Sequence, residues 1–116
     1  MEDNKLIEFP FLEGIYENNF KLVNLLQTFI EQSKKYMLLL KNAISENNYS
    51  DIKKLSHKIK GSITYLEIKE IMEVLEKLED AAIDKKMSNI ITLYDVLENK
   101  LNNIYNQINK YIENIK

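Results

Sequence analysis

Two glycines, Gly14 and Gly61, and one proline, Pro10, are the only strong helix breakers in the chain of 116 residues. In a helix interior glycine costs about 1 kcal/mol and proline about 3 kcal/mol relative to alanine. A chain almost free of both, with 45% hydrophobic residues, is set up to be helical nearly throughout. Pro10 and Gly14 lie close together and confine a first short helix to about residues 11–16.

Beyond Asn18 and Asn19, either of which suits an N-cap, apolar residues recur at helical spacing. Over residues 19–46 they are Leu22, Leu25, Leu26, Phe29, Tyr36, Met37, Leu40 and Ile44. Asn47 to Ser50 reads as a turn, with Ser50 capping a helix over 51–66 and Asp51 suiting its N-terminal dipole. After a break near Glu67, Ile71, Val74, Leu75, Leu78, Ala81 and Ala82 mark a helix over 69–85, closed by Lys85-Lys86. Ser88 is expected to cap the last helix, 88–114, with a stripe of Ile91, Tyr94, Leu97, Leu101, Ile104, Ile108, Tyr111 or Ile112, and Ile115. Amphipathic helices joined by short turns predict an all-α protein. Its architecture is an antiparallel up-down four-helix bundle with a short N-terminal helix as a lid, in one domain over 1–116. The turns interrupt any continuous heptad, which argues against a coiled coil.

The composition removes several functions. Sixteen basic side chains against 18 acidic ones leave a net charge of −2, without the positive field that general nucleic-acid binding needs. The absence of cysteine excludes a disulfide framework, a cysteine-ligated zinc and thiol catalysis. The longest apolar run, Tyr36 to Leu40, is far below the roughly 20 residues that span a bilayer, so no membrane insertion is expected. Met1 to Asn4 is polar and acidic, unlike a secretory signal, and the expected location is the cytoplasm.

One helix breaks the bundle pattern. With His57 set at zero and about 100° per residue, Ile52, Leu55, Ile59, Ser62, Ile63 and Leu66 fall between roughly 140° and 240°, on the core face. The only histidine therefore stands on the solvent face, with Lys53, Lys54, Lys60, Gly61 and Thr64 within about 60° of it. Gly61, one turn on, weakens the helix where no core neighbour needs room. A clearance for something outside the chain explains it. A lone histidine without acids at chelating spacing holds no metal, and neither Ser56 nor Ser62 has an orienting acid for a hydrolytic triad. What remains is imidazole as a nucleophile toward phosphorus, largely neutral near pH 7 at its ordinary pKa of about 6.5. Lys60 stands within reach of a phosphoryl group there, and Lys53 and Lys54 extend the positive patch.

His57-Lys58-Ile59-Lys60-Gly61-Ser62 resembles the signature of histidine phosphotransfer (HPt) domains, His-x-Leu/Ile-Lys-Gly-Ser/Ala. Leu25-Leu26, Phe29, Leu40, Ala43-Ile44 and Leu55-Ser56 before it are similar to the family's run, as are Leu66, Leu75, Leu78-Glu79 and Ala81 after it. The motifs cover roughly residues 12–85, and the last helix fits by pattern. The resemblance implies a phosphorelay intermediate that takes a phosphoryl group from a receiver-domain aspartate onto His57 and passes it to another receiver. Lys60 would steady the group and Gly61 would clear space for the receiver. No cofactor of its own is implied, since the receiver brings Mg²⁺. The implied partners are receiver domains of response regulators or hybrid histidine kinases, and a monomer is expected. Lys53, Lys54, Lys58 and Thr64 around the histidine, and Leu38, which points about 160° from its helix's apolar stripe, are expected to dock the receiver.

The alternative is a helical bundle that binds response regulators without being phosphorylated, which the intact His-x-x-Lys-Gly set disfavours. Two residues depart from the family pattern. Glu67 stands where the family has glycine, and Tyr65 where it commonly has a small or polar residue. A left-handed glutamate would cost on the order of 1 kcal/mol. A differently built turn, or helices set further apart, is therefore expected there.

Overall fold

The structure, a computed structural model, describes residues 7, 9, 12, 13 and 19–115. Four long helices lie among the described residues: α1 (Asn19–Ser45), α2 (Tyr49–Ile63), α3 (Lys69–Ile83) and α4 (Met87–Ile115). A 3-10 turn, Thr64–Leu66, continues α2. Of the short helix expected over 11–16, Leu12 and Glu13 are helical and the rest lies outside the described residues.

Each helix packs against its neighbours in the chain, and α4 closes against α1. Cross-helix pairs set the directions. In α2 and α3, His57 faces Glu79 while Lys60 faces Glu76, so the two run antiparallel. Between α1 and α4, Ser33 meets Tyr105 and the Tyr94 hydroxyl donates to the Met37 carbonyl, again antiparallel. The architecture is the antiparallel four-helix bundle expected from the periodicity.

The core follows the apolar stripes. All six residues of the α3 stripe are buried, from Ile71 to Ala82. In α2 the buried face is Ile52, Ser56, Ile59 and Ile63. In α4 the stripe starts at Ile90, which is fully buried, while Ile91 is 50% exposed. Ile90 lies seven residues, about two turns, before the buried Leu97, whereas Ile91 is rotated about 100° away. Within the core the Ser33 and Tyr105 hydroxyls share a hydrogen bond of 2.6 Å. At the far end of α4, Tyr111 stacks on Phe9 at 4.2 Å and donates its hydroxyl hydrogen to Glu13.

The connections differ from the expected caps. Asn48, not Ser50, caps α2: its Oδ1 accepts from the Asp51 amide at 3.1 Å and its Nδ2 donates to the Asp51 carboxylate at 2.9 Å. Ser50 and Ser88 both lie inside helices, because α2 begins at Tyr49 and α4 at Met87. All three turns pass through a left-handed residue that is not glycine: Asn47 (φ 54°), Glu67 (φ 53°) and Lys85 (φ 56°). The helix ends at Asn47 and Lys85 close in the same way. The next amide bonds back five residues, Asn48 to the Ala43 carbonyl and Lys86 to the Ala81 carbonyl, both at 2.9 Å. At Glu67 the left-handed turn is kept, in contrast to the expected rebuilding. The backbone needs this conformation to start α3, and the glutamate adopts it at a cost.

Candidate functional site

The alternating four- and three-residue spacing that buries Ile52, Ser56 and Ile59 turns His57 outward from the middle of α2, and its side chain is 72% exposed. Its Nδ1 faces α3, where Glu79 Oε2 lies 3.7 Å away. Lys60, one turn on, places Nζ 3.6 Å from that same oxygen and 3.7 Å from Glu76 Oε2. The Glu79 side chain is only 17% exposed, and its Oε2 is buried without a hydrogen-bond partner. Both nitrogens stand just beyond hydrogen-bond range of it. The two flanking nitrogen groups are the nearest charge partners of this carboxylate, and the Nδ1–H tautomer of His57 would point its proton at it. That tautomer leaves the lone pair on Nε2, on the other edge of an exposed ring.

Gly61 lies on the same outer side, and a Cβ built there would meet nothing within 4 Å. The space beside His57 is therefore empty by virtue of the sequence and is not filled by a neighbour. Lys53, Lys54 and Lys58 are exposed. With Ser50, His57 and Glu79 they line a shallow depression of about 570 Å³. Thr64 is exposed and donates its hydroxyl to the Lys60 carbonyl at 2.8 Å. The two serines near the histidine are spent on backbone bonds: Ser56 donates to the Ile52 carbonyl and Ser62 to the Ile59 carbonyl, each at 2.8 Å.

The structure thus gathers His57, Lys60, Gly61, Lys53, Lys54, Lys58 and Thr64 on one outer face. It does not bring Leu38 there. Leu38 is 61% exposed, but it lines a groove between α1 and α4 with Met37, Tyr94 and Leu101. In a ring of four helices that seam lies opposite the α2–α3 seam. Tyr65, the second departure from the family pattern, is half-buried against α1, with its hydroxyl 3.4 Å from the Leu25 carbonyl.

Glu79 and Glu76 are the site residues that sequence reasoning did not place beside the histidine. The signal was an acid inside an apolar stripe: Glu79 sits four residues after Leu75 and three before Ala82, both buried. Among the described residues no cluster of three or more His, Cys, Asp or Glu side chains could hold a metal ion. No described helix is long and apolar enough to cross a membrane.

Comparison with known proteins agrees with this geometry. The family model of the Hpt domain matches residues 24–114. The crystal structure of histidine-containing phosphotransfer protein B (HptB) from Pseudomonas aeruginosa PAO1 superposes with a TM-score of 0.86, covering 97% of this chain and 98% of that one at 15% identity. At that identity the likeness speaks for the fold. No curated protein matches the chain. An Hpt family match over most of the length, on a four-helix bundle with one outward histidine, leads to one conclusion: this chain belongs to the Hpt domain family, the histidine phosphotransfer intermediates of phosphorelays.

Proposed function

We propose that His57 is the residue that carries the phosphoryl group. Its Nε2 lone pair attacks the phosphorus of a receiver's aspartyl phosphate. The N–P bond forms as the P–O bond to the aspartate breaks, and the aspartate leaves as a carboxylate. The ring keeps its Nδ1 proton and gains positive charge, which the Glu79 carboxylate at 3.7 Å offsets. Lys60, held between Glu79 and Glu76, turns its ammonium toward the phosphoryl oxygens. The open space above Gly61 admits the incoming receiver. Transfer to a second receiver reverses these steps. The chain needs no cofactor of its own; Mg²⁺ belongs to the receiver's acidic pocket. We place the protein in the cytoplasm and expect it to act as a monomer.

The observation that carries the reading is an imidazole 72% exposed, with a carboxylate at one nitrogen and the other nitrogen on the exposed edge. The test is direct. Receiver domains loaded with labelled phosphoryl groups are mixed with the protein. Acid-labile, base-stable label should appear on the wild type and be absent from His57→Gln. Label that persists in the variant would overturn the assignment.

A further inference from the structure

The surface around His57 has a charge that the rest of the chain lacks. α2 carries Lys53, Lys54, Lys58 and Lys60 against one acid, Asp51, in a protein whose net charge is −2. Lys60 is engaged with Glu76 and Glu79. Among the described residues no carboxylate pairs with Lys53, Lys54 or Lys58. These three lysines line the depression beside the imidazole.

An apolar contact stands at the same seam. Ile83, the last residue of α3, is 58% exposed. It lies one turn beyond Glu79, on the same flank of its helix. Lys53 lies one turn before His57. Because α2 and α3 run antiparallel, both turns lead the same way from the His57–Glu79 contact, which sets Ile83 at the register of Lys53 along the seam, beyond the residues that line the depression. An exposed aliphatic beside unpaired cations is the composition of a docking patch: apolar area for affinity, charge for selection and encounter rate.

We infer that this patch selects receiver domains whose phosphorylated aspartate is ringed by acidic side chains, with Ile83 as the apolar anchor and Lys53, Lys54 and Lys58 as the selective charges. The inference rests on the relay reading above. A receiver with an acidic rim is drawn to the three lysines, and one with a basic rim is repelled as it approaches His57. Leu38, on the opposite seam, takes no part.

The test uses one receiver with an acidic rim and the same receiver with its rim acids changed to lysine. Lys53→Glu/Lys54→Glu/Lys58→Glu should lower kcat/KM for transfer from the acidic-rim receiver at least tenfold, mainly through KM. It should raise transfer from the rim-reversed receiver. Ile83→Ser should raise KM severalfold with both receivers, while Ile91→Ser, an exposed aliphatic on α4, should change neither. Raising the salt should slow the wild type with the acidic-rim receiver and leave the triple variant nearly unaffected. Normal transfer by a folded triple variant, at any salt, overturns the docking inference and leaves the relay standing. Absence of label on the wild type from every receiver overturns the relay. Fluorescence anisotropy with His57→Gln still reads docking in that case: binding of the acidic-rim receiver that the triple change abolishes supports the patch, and equal binding of both receivers sinks it.

Discussion

Glu79 in α3 directs its Oε2 at Nδ1 of His57 in α2, across 3.7 Å, and the same oxygen lies 3.6 Å from Nζ of Lys60. Neither approach is a hydrogen bond, and the oxygen is buried without one. The site therefore keeps a carboxylate under-satisfied between the imidazole of His57 and the ammonium of Lys60. In the proposed transfer Lys60 turns outward, and the acid is left to the ring. On that proposal Glu79 would be a positioning residue, selecting the tautomer without touching phosphorus.

Removing that carboxylate should therefore slow chemistry more than it disturbs the fold. Glu79→Ala is expected to lower the rate of transfer to His57 by about tenfold, within the range of a lost orienting partner. Glu79→Gln should recover much of it, because the amide oxygen still accepts from Nδ1–H. Nitrogen-15 NMR of the imidazole should show less of the Nδ1–H tautomer in the alanine variant than in the wild type. An unchanged tautomer ratio with an unchanged rate would show that Glu79 plays no such part.

Gly61 separates stability from function. A Cβ there meets nothing within 4 Å, so Gly61→Ala should stabilise the helix by about 0.5–1 kcal/mol in urea unfolding. The same methyl intrudes on the approach to His57, so transfer from a receiver should slow, and slow further with Gly61→Leu. A stabilised alanine variant that transfers at the wild-type rate would show that the gap is unused.

Glu67 holds φ 53° and ψ 46° between the 3-10 turn and α3. Left-handed backbone costs a side chain about 1–2 kcal/mol, part of which glycine loses again to the entropy of its unfolded state. Glu67→Gly should therefore raise unfolding stability by up to about 1 kcal/mol, with transfer activity unchanged. A loss of stability would mean that the glutamate makes compensating contacts.

Tyr111 has its pKa raised from 10.0 to about 12, first by burial and then by its hydrogen bond to Glu13. The folded state thus holds this proton more tightly than the unfolded chain. Its contribution to stability is complete below about pH 10 and is lost as pH rises through about 12. Urea unfolding followed across that window should show a steeper loss for the wild type than for Tyr111→Phe, and phenolate absorbance should report one fewer late-titrating tyrosine. Tyr94 and Tyr105 are also raised, chiefly by burial, and remain in both proteins.

Along each helix, periodicity alone carried most of the fold. The α3 stripe is buried residue for residue, and the same rotation about α2 put Ile59 inward and His57 outward. Where two equivalent residues stand side by side, as Ile90 and Ile91 do, an unphased pattern cannot choose, and packing against the neighbouring helices did. The capping role of Asn48 over Ser50 was likewise decided by where the backbone leaves its left-handed turn at Asn47.

Rotation about a helix's own axis is a local property, written in the spacing of its residues, so the sequence by itself determined the helices, their buried faces and an exposed imidazole beside Lys60 and Gly61. Which residues meet across a seam depends on how far antiparallel helices slide past each other and on which helix is next to which. Turn geometry and core packing set both, at long range in the chain. Only the tertiary structure could therefore put Glu79 against Nδ1 of His57, set Ile83 at the register of Lys53, and send Leu38 to the opposite flank.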